Sequence, residues 1–167
     1  MLYRQHCIAN LSVGTLLSVS LGAWDLGFKF QMIFAGAFLV STFFLSPDLD
    51  LFHSAPNRNW KFLRIVWWPY SKLFRHRGWS HMPGIGACTR IAYLLAWVCL
   101  GFAIYDLFLE GLSFSALERG LSGRSVQIWT LIKDQETVCI PAFAGITASD
   151  CVHLFVDILS SAWKRLI

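Results

Sequence analysis

The chain has 167 residues, of which 56% are hydrophobic and 14% charged, with a formal net charge of +4. Soluble domains carry about 25% charged residues, so this composition excludes an ordinary water-soluble enzyme and points to one membrane-embedded domain, residues 1–167. Cys7, Cys88, Cys99, Cys139 and Cys151 form no CxxC pair, which favours buried or lipid-facing thiols over a disulfide framework.

A membrane-spanning helix needs about 20 apolar residues. Residues 7–24 contain no charge, nor do residues 30–47, and the short polar turn "DLGFK" joins them. The first run has the outline of a signal peptide with Arg4 as its basic end, but no small-x-small cleavage site follows. It is therefore taken as the first span. The second run stops at "SPDLD", and a long polar-aromatic loop follows, residues 51–81. There Arg58, Lys61 and Arg64 recur three apart, while Trp60, Leu63 and Trp67 fall on a separate face, until Pro69 interrupts the pattern. This predicts a short amphipathic helix lying in the membrane interface. The third apolar run, "IAYLLAWVCLGFAIY", lies between Arg90 and Asp106 and can begin as early as Pro83. Residues 110–136 read as an outer, partly helical connection. The last run, residues 137–163, carries Asp150, His153 and Asp157. The expected fold is thus all-α, a polytopic membrane helical bundle of about four spans with an interfacial amphipathic helix in the central cytoplasmic loop.

Charge sets the expected orientation. The central loop holds Arg58, Lys61, Arg64, Lys72, Arg75 and Arg77, and Arg4, Lys164 and Arg165 fall on the same side of a four-span chain. The positive-inside rule puts that loop and both termini in the cytoplasm, with a bacterial inner membrane as the expected location.

On that topology His6, Asp48, Asp50, His76, His81, Asp150, His153 and Asp157 all reach the same membrane face. His153 and Asp157 stand four apart, so their side chains share one face of a helix, and Asp150 joins the stripe three residues earlier. Ionisable residues inside a membrane are costly and mark function by default. A buried ion network with Arg75, Arg77 or Arg90 is the alternative for this stripe. In "HRGWSH", Gly78 permits a tight turn that lets His76 and His81 converge, and Ser80 is a candidate helix cap. His53 has no spacing partner and is set aside. Imidazole with carboxylate and no thiolate suits a divalent metal, zinc first and manganese or iron next. Eight candidates exceed the needs of one tetrahedral ion, so either two ions bind or some of these side chains orient the ligands.

"SPDLD", "HRGWSH" and "HLFVD", in this order between apolar spans, resemble a family of membrane-embedded metal-binding proteins. They are similar also to the LexA-binding, inner-membrane-associated hydrolase family. The resemblance marks His6, Asp48, Asp50, His76, His81, His153 and Asp157, leaves Asp150 outside, and implies metal binding and, beyond it, hydrolysis. The fuller expectation is a metal-dependent hydrolase acting on a phosphoester near the lipid headgroups. Arg77, with Arg75 as a second candidate, would clamp the anion, and Asp50 or His76 would act as base if not metal-bound. Membrane lipid and a small anionic substrate are the expected partners, with no nucleic acid. A non-catalytic metal-binding membrane protein (sensor, carrier or scaffold) is the competing expectation. A histidine-nucleophile lipid phosphatase is disfavoured, because the arginine it needs six residues before the histidine is here Thr147.

Overall fold

A computed structural model describes residues 3–24, 26–74, 78–110 and 114–166. Among the described residues seven α-helices follow one another: α1 (Tyr3–Ala23), α2 (Phe28–Phe43), α3 (Ala55–Asn59), α4 (Trp67–Leu73), α5 (Ile85–Glu110), α6 (Phe114–Asp134) and α7 (Glu136–Leu166). Short 3-10 turns sit at Pro47–Asp50, Lys61–Val66 and Trp79–His81, and the described residues contain no strand. Four segments among the described residues are long and apolar enough to cross a membrane: Gln5–Ala23, Phe28–Asp50, Ile85–Leu109 and Glu136–Trp163. Their outward faces keep Leu16, Val19, Met32, Phe108 and Ile158 exposed, as lipid contact requires. The five cysteines are free.

α2 packs chiefly against α7. The approach is close because Gly145 of α7 lies on the α2 backbone, where an added Cβ would stand 2.4 Å from the Phe34 carbonyl oxygen. Small residues allow this kind of contact between apolar helices, where van der Waals packing replaces the hydrophobic drive available in water. Phe34, Phe38, Val152 and Val156 fill the seam. Gly27 and Gly84 both take φ 78°, turning the chain just before α2 and α5.

The central loop is helical, but not as one helix. Lys61 takes φ 51°, which breaks the run into α3, a 3-10 turn and α4. Tertiary contacts impose the break. The Asn59 amide donates to the Phe43 carbonyl and the Trp60 indole to the Phe44 carbonyl, both at 2.8 Å, so α3 covers carbonyls at the open end of α2. Trp67, expected on a membrane-facing stripe, is fully buried with Tyr70, Leu49 and Ala87. Pro69 does not end the helical pattern. It lies in the first turn of α4, where its missing N–H has no partner to lose. The loop therefore folds over the end of the bundle that carries the polar residues.

Candidate metal centre

Four elements bring polar side chains to one end of the bundle. His6 comes from the second turn of α1, and Asp48 and Asp50 from the 3-10 turn after α2. His81 closes the 3-10 turn before α5, and His153 and Asp157 lie in the second half of α7. Pro47 opens the turn after α2, so two carboxylates project from a short irregular segment instead of continuing a helix.

Among the described residues two triads result, His6–His153–Asp157 and Asp48–His81–His153, and within each the donor atoms lie within 4.8 Å of one another. His153 belongs to both. Its Nε2 is 3.5 Å from Asp48 Oδ1 and 3.7 Å from Asp157 Oδ2. His81 Nε2 is 3.5 Å from Asp48 Oδ1, and His6 Nε2 is 3.4 Å from Asp157 Oδ1. The His6 and His153 rings stack with centroids 4.9 Å apart.

These spacings fit a metal better than direct pairing. A charged histidine–carboxylate hydrogen bond closes to about 2.7–2.9 Å. Donors sharing one tetrahedral ion at bond lengths of 2.0–2.1 Å stand about 3.3 Å apart. The observed 3.4–3.7 Å separations lie near the second value. His153 Nε2 and His6 Nδ1 are, moreover, buried without a hydrogen-bond partner. A buried imidazole nitrogen left without a partner is costly in a bundle interior, and an ion would satisfy that of His153.

Asp50 stands behind His81 rather than among the donors facing His153. Its Oδ2 accepts the Ser80 hydroxyl at 2.8 Å and lies 3.3 Å from His81 Nδ1, with the side chain fully buried. Ser80 is therefore tied to Asp50, and α5 begins without it at Ile85. Burial alone would lower the His81 pKa, but the neighbouring Asp48 and Asp50 carboxylates outweigh it and push it up to about 9.

Asp150 has a different partner from the one expected of a metal ligand. Its Oδ2 lies 2.5 Å from Arg90 Nη2, and both side chains are buried. Arg90 also donates to the Ser80 carbonyl at 3.2 Å, so the pair ties the turn carrying His81 to α7. Gly86 makes this possible, since a Cβ there would meet the Ser80 carbonyl oxygen at 2.2 Å. His76, Arg77 and Arg75 lie outside the described residues. His53 is exposed and packs edge-on against Phe52.

Two features escape a reading by residue type. One is a hydrogen-bonded floor beneath the triads, where the Asn10 amide reaches Thr42 Oγ1 at 3.3 Å and Ser149 Oγ at 3.4 Å. Asn10 follows His6 by four residues and Ser149 precedes His153 by four, so helical spacing carried the signal. The other is a cleft of about 490 Å³ reached by His81 and Asp157 and lined also by Met82, Leu154, Ile158 and Arg165.

The chain belongs to the family described as "Uncharacterized metal-binding protein (DUF2227)", which it matches over residues 3–167. It is 34% identical over 136 residues to an uncharacterized protein of Aquifex aeolicus (strain VF5), an alignment that covers 81% of this chain and 95% of the relative. No solved structure matches it. The family and the clustered His/Asp groups together support a metal cofactor.

Proposed function

We propose that this protein is an integral membrane metal-dependent hydrolase whose site opens at the cytoplasmic face and acts on a phosphoester near the lipid headgroups. The observation that carries this reading is a His/Asp donor cluster, centred on His153 Nε2, with His81 and Asp157 lining an adjoining cleft. The ligands in this reading are His6, Asp48, His81, His153 and Asp157. Zinc suits the donors best, with manganese or iron next. The ion supplies Lewis acidity toward a phosphoryl oxygen and lowers the pKa of a bound water.

The chain's own groups do the rest. Asp50 accepts from His81 Nδ1–H, which fixes the tautomer and leaves the Nε2 lone pair facing Asp48 and His153. Asp157, partly exposed, marks where the donor cluster meets the cleft through which a substrate would enter. Arg77 is the phosphate clamp implied by "HRGWSH", and His76 a further ligand or base, both on sequence grounds. The excess of basic residues in the central loop supports a cytoplasmic orientation.

A non-catalytic metal protein draws on the same two triads: a coordination shell closed by protein donors would leave no position for substrate, whereas an open position would admit one. One experiment separates the two. Purified protein, loaded with zinc and then chelated, is assayed for phosphate release from phosphomonoester and phosphodiester lipids. Metal-dependent release that falls in Arg77→Lys at unchanged metal content supports the hydrolase. Full metal occupancy without release from either substrate class favours the non-catalytic reading.

A further inference from the structure

The C-terminal half of α7 presents two parallel stripes at four-residue spacing. Leu154, Ile158 and Ala162 form an apolar one, and Asp157, Ser161 and Arg165 a polar one. All six line the cleft of about 490 Å³ that His81, Met82 and Pro83 also line. The apolar stripe continues into the outward surface of the same span, where Phe155 and Ile158 are exposed. Arg165 lies just beyond the last residue of that span, Trp163, which is itself exposed. Arg165 stands two helical turns after Asp157 and lines the same cleft.

The geometry points to a lipid with a phosphate headgroup as the occupant of this cleft. Its phosphate lies between the donor cluster and Arg165, and its acyl chain runs along Leu154, Ile158 and Met82 into the bilayer. Depth sets the direction. Arg165 stands at headgroup level, whereas Leu154 is about 16 Å further along the helix at 1.5 Å per residue. A free phosphate would satisfy Arg165 but leave the apolar wall without a counterpart. The inference rests on the metal-site reading above and adds to it the substrate class and a residue, Arg165, for recognising the headgroup.

The test is photo-crosslinking with a readout independent of turnover. Zinc-loaded protein in phosphatidylcholine vesicles is exposed to phosphatidic acid carrying a diazirine on its acyl chain, and the labelled positions are mapped. Labelling should concentrate on residues 154–162 and near Met82. A diacylglycerol probe of the same chain length should label that stripe about tenfold less, the worth of a charge-assisted contact. Ile158→Trp, which fills the cleft, and Arg165→Gln, which removes the cation, should each lower labelling several-fold while zinc content stays at the wild-type value. Even labelling of all lipid-facing helices, or labelling unaffected by both variants, overturns the inference. So does protection by inorganic phosphate as effective as that by unlabelled phosphatidic acid, which would make the cleft a site for the free anion. Failure of the metal reading looks different: wild-type protein would then retain no zinc, whatever the labelling pattern.

Discussion

His153→Ala is the most informative single change, because His153 belongs to both triads and its Nε2 lies near a carboxylate of each. Removing it leaves His6 with Asp157 on one side and Asp48 with His81 on the other, two donors in each group. Structural zinc sites bind with about 10–16 kcal/mol from four ligands, or roughly 3 kcal/mol per ligand. The substitution should therefore weaken metal binding by a hundredfold or more, at about 1.4 kcal/mol per factor of ten. Asp50→Asn, which keeps every donor but weakens the support of His81 Nδ1, should cost roughly 10–100-fold. The assay is competition with a chromophoric chelator, backed by elemental analysis of detergent-purified protein. If His153→Ala holds metal within twofold of wild type, the ion is bound elsewhere and His153 is not its ligand.

Five further outcomes are expected. Chelation should lower the melting temperature, because an ion bound only by the folded chain stabilises it by mass action, and Asp48→Asn with Asp157→Asn should blunt that response in thermal scans. Metal affinity should rise with pH up to about 9, by close to tenfold per unit, since His81 must lose the proton that Asp48 and Asp50 hold on it. The metal-free protein should show the opposite sign. A histidine pKa raised above its unfolded value adds stability that is full below about 6.5 and lost as pH rises through about 9, here about 3 kcal/mol, readable by denaturation in chelator. Asp150→Ala leaves the Arg90 guanidinium buried without its carboxylate and should destabilise by about 3–5 kcal/mol, whether or not metal is present. Finally, single cysteines introduced at Ser54 and Ser122 in a cysteine-free background should differ, with only the latter reacting with an impermeant thiol reagent on intact cells.

Much of this protein is legible in one dimension because the membrane simplifies the problem. Uncharged runs long enough to cross a bilayer had to be helices, since no other open segment satisfies its own backbone there. Their number and order follow from composition. His153 and Asp157 share a face because helical periodicity makes them do so, whatever surrounds the helix. The "SPDLD" and "HRGWSH" stretches announce polar chemistry at span ends for the same reason of cost.

Three matters depended on packing. Spacing alone groups Asp150 with His153 and Asp157, but the neighbour that α5 supplies is Arg90, and opposite charges in a buried seam pair before either reaches the donor cluster. Asp48 and Asp50 are alike in sequence, yet the 3-10 turn aims one at His153 and the other at Ser80 and His81 Nδ1. The central loop has the pattern of a single amphipathic helix, but Trp67 is buried beside Leu49 and Tyr70, Asn59 and Trp60 bond to the end of α2, and the run breaks at Lys61, which takes positive φ. In each case sequence determined which groups were available, and the positions of residues distant in the chain determined what each group faced.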